Sequence, residues 1–218
     1  MRFTSSLKRF ARNLFIQTET TPNVDSIKFK PGQPILDNGS TREFLSLQDA
    51  RVSPLAASLM RIDGVKSVLY GPDFITITKD SDTPWQLLKP EIFGGIMDFF
   101  STKQPIFSSI EQRPSDTQIL PEDDEVVATI KELIETRIRP TIMEDGGDLE
   151  YMGFKDGIVS LKLKGSCRTC DSSAITLKHG IENMLMHYVP EVLQVLQVLD
   201  EIEEISQKEF DKLEKKIE

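Results

Sequence analysis

A chain of 218 residues, 39% apolar and 28% charged, has the makeup of a soluble globular protein with room for one large domain or two ordinary ones. Its formal charge of −9 argues against a nucleic-acid partner, and no apolar run approaches the roughly 20 residues that span a bilayer. Two cysteines are too few for a disulfide-stapled secreted scaffold, so a reducing compartment fits better.

Residues 1–14 carry Arg2, Lys8, Arg9 and Arg12, and the first acid is Glu19. Phe3, Leu7, Phe10 and Leu14 would share one helical face, and a basic, acid-free amphipathic N-terminus is the pattern of a mitochondrial transit segment. Residues 15–101 form a first domain in which strand and helix signals alternate. Polar–apolar alternation predicts a strand over residues 26–29, Pro31-Gly32 turns the chain, and residues 41–44 suit a short extended piece. Ser53-Pro54 is a cap followed by a first-turn proline, so a helix carries Leu55, Leu59 and Ile62 until Gly64. Two β-rich runs, Val65–Tyr70 and residues 74–78, flank the turn Gly71-Pro72-Asp73. Trp85, Leu88, Ile92, Ile96 and Phe99 or Phe100 describe an amphipathic helix that Gly94-Gly95 weakens. This half has no Cys, no His and no catalytic constellation, which leaves partner binding or restraint of the other half as its expected work.

Residues 102–124 read as an acidic linker that closes on Glu122-Asp123-Asp124. The second domain, residues 125–200, opens with a helix bearing Val126 or Val127, Ile130, Leu133 or Ile134, and Ile138, which Pro140 is expected to end. Glu144-Asp145-Gly146-Gly147-Asp148 reads as a tight, solvated turn. Strands over residues 149–154 and 158–163 make a hairpin around Lys155-Asp156-Gly157. The loop Gly165-Ser166-Cys167-Arg168-Thr169-Cys170 follows. A helix over residues 172–188 comes next, capped by Asp171, Ser172 or Ser173 and stopped by Pro190. The last strand, residues 192–198, is mostly apolar on both faces and should be central or well covered. Residues 201–218 have the composition of a charged helix. The expected fold class is α+β: two small domains joined by an acidic linker, the second ordered α-β-β-(CxxC loop)-α-β with a C-terminal helix.

Cys167 and Cys170 are close enough to bind one metal ion or to share one disulfide. Cys170 stands at the expected start of a helix, where unsatisfied N–H groups and the dipole favour a thiolate. An iron–sulfur cluster takes four thiolates, so two copies about a twofold axis would complete the set. Thiol–disulfide exchange would use one cysteine to attack and the other to resolve. Against it, no aromatic residue precedes Cys167 and the element order is not a thioredoxin βαβ start. Zinc would need a second CxxC from another chain. Local chemistry leaves cluster and redox nearly level, with zinc lower and inert thiols last. His179 and His187 lie at least two turns from Cys170 along the helix and take no role. No phosphate loop and no nucleophile–base–acid set is present, which argues against a hydrolase or kinase.

Several stretches nonetheless match a known pattern together. Arg139-Pro140-Thr141, Glu144-Asp145-Gly146-Gly147-Asp148 and the cysteine loop with Ser172-Ser173 resemble the C-terminal domain of NifU. Phe15-Ile16-Gln17-Thr18, Gly64-Val65-Lys66-Ser67-Val68 and Gly71-Pro72-Asp73-Phe74-Ile75-Thr76 resemble the N-terminal domain of Nfu-type iron–sulfur scaffolds. Trp85, Leu87-Leu88-Lys89-Pro90 and Ile96-Met97-Asp98-Phe99-Phe100 extend that match. The order is that of eukaryotic and α-proteobacterial-type members.

The resemblance implies a mitochondrial matrix protein, not an enzyme, that receives or builds a [4Fe–4S] cluster, or a [2Fe–2S] one. It would take the cluster from upstream assembly proteins and pass it to apoproteins such as lipoate synthase and respiratory-chain enzymes. Cys167 and Cys170 would hold the cluster between subunits, giving a homodimer or higher assembly when loaded, with no nucleic acid and no membrane insertion. Two ligands per subunit at an exposed loop would let a recipient replace one pair at a time. A thiol–disulfide oxidoreductase using the same CxxC is the alternative. One departure is Asp171, where many members have proline.

Overall fold

The structure, a computed structural model, describes residues 15–36, 40–108, 115–168 and 171–199, with the side chains of 171–175 outside that set. The expected transit segment, the C-terminal helix and Cys170 therefore lie outside the described residues. The chain folds around two separate hydrophobic cores, one from each half.

In the first half, β1 (Gln17–Thr20), β2 (Ser26–Lys30), β3 (Arg42–Phe44), β4 (Val65–Tyr70) and β5 (Ile75–Lys79) pair antiparallel in the order β1-β2-β5-β4-β3. Periodicity gives no sign of β1, because this edge strand is Gln-Thr-Glu-Thr and has no apolar face to alternate. Helix α1 (Pro54–Leu59) starts where the cap chemistry places it, with Ser53 Oγ accepting from Ala56 N–H at 3.2 Å. Helix α2 (Trp85–Thr102) runs through Gly94 and Gly95 without a break. Each glycine costs about 1 kcal/mol of helix propensity. Burial of Leu88, Ile92 and Ile96 contributes about 1.5–3 kcal/mol apiece, so tertiary packing wins.

Both helices cover one face of the sheet, where Ile27, Phe29, Phe44, Val68, Tyr70, Ile75 and Ile77 form the core. The opposite face is polar. A single cross-strand row runs Glu19, Lys28, Thr76, Leu69 and Glu43 from β1 to β3. All but Glu19 in that row are buried, because the second half packs there.

The second half begins with α3 (Glu125–Leu133), capped by Asp124 Oδ1, which accepts from Val127 N–H at 2.7 Å. Pro140 does not end the helix as expected. A widened π turn (Ile134–Ile138) lets Arg139 N–H reach back to Ile134 O, and α4 (Arg139–Glu144) continues with Pro140 in its first turn. There the missing N–H of proline costs least. Strands β6 (Gly147–Lys155) and β7 (Ile158–Gly165) form the expected hairpin, with Asp156 and Gly157 both at positive φ as a tight two-residue turn requires. Helix α5 (Asp171–Tyr188) leads to β8 (Gln194–Gln197), which pairs parallel with β7. The sheet order is β6-β7-β8, so β8 lies at an edge rather than in the centre. Val192 and Val195 enter the core while Leu193 and Leu196 stay exposed, since only one face of β8 is covered.

The linker stretch is anchored where it is described. Ile106 and Phe107 pack on the first core. Further on, Asp116 accepts from Arg139 Nη2 at 2.8 and 2.9 Å and from Tyr151 N–H at 2.6 Å. Among the described residues no helix is long and apolar enough to cross a membrane. Asp116→Ala takes one of the carboxylates from a buried guanidinium and strips a strand N–H of its acceptor. It is expected to lower stability by about 2 kcal/mol, read as a shift in the urea midpoint at unchanged slope.

Candidate functional site

The cysteine turn is built at the end of β7. Gly165 has φ +64, the left-handed region that favours glycine. A Cβ there would also collide with Leu69 and stand 2.9 Å from Gly146 O, so both conformation and space call for glycine. The chain then folds back, Arg168 N–H donating to Gly165 O at 3.2 Å. Ser166 ties this turn to the acidic-glycine run, its hydroxyl donating to Asp145 O at 2.7 Å.

The Cys167 sulfur lies directly on Gly147, in the space a side chain there would fill, and 3.8 Å from Ser166 Oγ. The Glu144-Asp145-Gly146-Gly147-Asp148 stretch is a solvated turn only in its first part: Glu144 and Asp145 are exposed, whereas Gly146, Gly147 and Asp148 are buried and β6 begins at Gly147. Its glycine gap is what admits the thiol. Cys167 itself is only 8% exposed and belongs to the second core. The expectation of an exposed loop does not hold for this cysteine, because its sulfur turns inward onto Gly147 and joins the core of its own half.

That covering is specific. Glu43 Oε1 accepts from Gly165 N–H at 2.8 Å and Glu43 Oε2 from Arg168 Nη1 at 2.7 Å. Both side chains are 7% exposed. Burial pushes the Glu43 carboxyl above its ordinary value, with Arg168 and the Gly165 N–H opposing that shift. Asn23 Nδ2 donates to Ser166 O at 3.1 Å. Lys28 Nζ donates to Met143 O at 3.0 Å and Glu144 O at 3.1 Å, placing a cation on the C-terminal carbonyls of α4. Thr41 Oγ1 donates to Asp148, whose carboxylate also lies 3.6 Å from Arg139 Nη1. Asp148 is 1% exposed, and burial raises its carboxyl above the usual range despite Arg139 and Thr41.

Asn23, Lys28, Thr41 and Glu43 were not singled out by the sequence. The one available signal is the Arg42-Glu43-Phe44 alternation, which sets Glu43 on the face opposite the core residue Phe44. It does not tell what that face meets. Cys170, the second cysteine of the motif, is outside the described residues. His179 is exposed and 3.8 Å from Glu182, and His187 stacks edge-on against Tyr188. Among the described residues no three of His, Cys, Asp and Glu are grouped to hold a metal ion.

Comparison with known proteins gives consistent matches in both halves. The family model described as scaffold protein Nfu/NifU N terminal matches residues 16–103, and that of the NifU-like domain matches residues 130–196. The mitochondrial NFU1 iron-sulfur cluster scaffold homolog of Drosophila ananassae is 51% identical over 208 residues, covering 95% of this chain and 72% of that one. The corresponding protein of Drosophila virilis is 51% identical over 207 residues, covering 94% and 69%. Among solved structures, the NifU-like protein from Saccharomyces cerevisiae is 26% identical with a TM-score of 0.40, over 50% of this chain and 97% of that one.

Two expectations follow from the geometry. Gly165→Ala should destabilise the protein by at least about 1–3 kcal/mol, the cost of a side chain held in the left-handed region, as measured by urea denaturation. The second concerns pH. With its carboxyl raised by burial, folded Asp148 binds a proton at a pH where the unfolded chain does not, so its contribution to stability grows as pH falls through the raised value. In Asp148→Asn that dependence is absent. The stability difference between the two proteins should therefore shift in favour of the parent on going from neutral to mildly acidic pH.

Proposed function

The chain belongs to the family of mitochondrial NFU1 iron–sulfur cluster scaffolds, and on that premise we propose that Cys167 and Cys170 bind the cluster it carries. The protein is a scaffold and not an enzyme, and the cluster is its cargo. The cargo is a [4Fe–4S] cluster, held between two copies of the chain and delivered to apoproteins in the mitochondrial matrix. Upstream assembly proteins load it.

The observation that carries this proposal is the placement of the Cys167 sulfur against Gly147, where only a glycine leaves space for the thiol. Thiolates are the soft donors that iron–sulfur clusters take, and four are needed. The chain has two cysteines, so a second copy supplies the other pair. Paired ligation also supports transfer: a recipient's thiolates can displace one subunit's pair while the other still holds the cluster.

Anaerobic reconstitution with iron and sulfide tests the assignment. The wild-type chain should acquire about four irons and four sulfides per dimer with the matching visible absorbance. Cys167→Ser and Cys170→Ser should each reduce both to background while keeping native far-UV circular dichroism. A serine variant that retains a full cluster, or a wild-type chain that forms a reversible Cys167–Cys170 disulfide and takes up no iron, would overturn it.

A further inference from the structure

Helix α4 ends at Glu144 with no basic residue in its last turn, so its final carbonyls have no cation from their own element. The cation comes from the other half of the chain. Lys28, on β2 and 4% exposed, donates from Nζ to Met143 O at 3.0 Å and to Glu144 O at 3.1 Å. It also pairs with Glu19 at 3.4 Å and lies over the Phe74 ring. The backbone just beyond α4 is seated on the same sheet. A Cβ on Gly146 would stand 3.0 Å from Thr76 Oγ1, 3.1 Å from Thr21 Cγ2 and 3.5 Å from Lys28 Cβ.

The same short stretch holds the cysteine turn from its other side. Asp145 O accepts from the Ser166 hydroxyl at 2.7 Å, Gly146 O accepts from Ser166 N–H at 3.4 Å, and Gly147 borders the Cys167 sulfur. We propose that Lys28 is a positioning residue for Cys167: it fixes the end of α4 and, through residues 145–147, the place of the sulfur that takes the cluster. This rests on the cluster assignment above. Lys28 acts through backbone carbonyls, and it gives the first half, which has no cysteine, a part in holding the cargo. In Lys28→Met the apolar stem is kept, two carbonyls lose their donor, and Glu19, 43% exposed, turns to water.

The test uses the apo full chain with Cys170→Ser, in which Cys167 is the one remaining thiol. Lys28→Met should speed its alkylation by iodoacetamide by about tenfold, the factor equivalent to one lost charge-assisted hydrogen bond. Lys131→Met is the control: that lysine is as deeply buried, and it gives up bonds from α3 to Gln118 O and Asp123. It should lower the urea midpoint without speeding alkylation, which separates positioning from a general loss of stability. In chains with both cysteines, a reconstituted cluster should pass to a chelator faster in Lys28→Met than in the wild type, and its visible circular dichroism should change.

Alkylation unchanged in Lys28→Met, or accelerated equally in Lys131→Met, overturns the proposal, as does a cluster lost no faster. If Lys28→Met loses its native far-UV circular dichroism, Lys28→Gln decides, since it keeps a donor on a shorter stem: acceleration supports the positioning role and its absence overturns it. Iron content of the reconstituted wild-type chain separates this proposal from the cluster assignment. Faster alkylation in a chain that takes up no iron keeps Lys28 as the residue that positions Cys167 and removes the cluster, whereas a full cluster with unchanged alkylation does the reverse.

Discussion

The Glu43 carboxylate accepts two hydrogen bonds, one from each end of the turn that carries Cys167, and the geometry around the thiol depends on that one group. Charge-assisted hydrogen bonds contribute about 1.5–3 kcal/mol each, and removing a carboxylate from water costs several. The two nearly offset, so the pair does less for stability than for specifying which surfaces meet. Its removal is another matter, since it takes a 2.7 Å carboxylate partner from the buried Arg168 side chain. The glycines complete the constraint. Gly165 gives the turn its left-handed residue, and Gly147 gives the sulfur its place.

The sheet of the first half works as a divider with two unlike faces. One is apolar and permanently covered by α1 and α2. The other carries Lys28, Thr76, Thr78 and Glu43, and it is buried only because the second half lies against it. A sheet whose alternation is apolar on one side and polar on the other stays folded whether or not the polar side is wet.

Much of this was legible in the residues. Ser53-Pro54 announced α1, Asp156-Gly157 announced the β6–β7 hairpin, and β4 and β5 were plain as β-rich runs around Gly71-Pro72-Asp73. The cysteine turn stood out as the candidate site, because no other stretch offers paired soft ligands. What failed, failed for tertiary reasons. Pro140 usually ends a helix, but a π turn ahead of it let the helix continue. The apolar look of β8 suggested a central strand, but α5 covers only one of its faces. The acidic-glycine run looked solvated because its carboxylates are visible in sequence and Thr41, which receives Asp148, is over a hundred residues away. Glu43 was illegible for the same reason: local pattern says which face a side chain takes, not what lies across from it.

Native mass spectrometry of the anaerobically reconstituted full-length chain tests the central claim most directly, that the cysteine pair is half of a site. The account predicts a loaded species of two chains carrying one cluster of four irons and four sulfides, with unloaded chains free of iron. A loaded single chain, holding a cluster or a metal ion on its own cysteines, would contradict it.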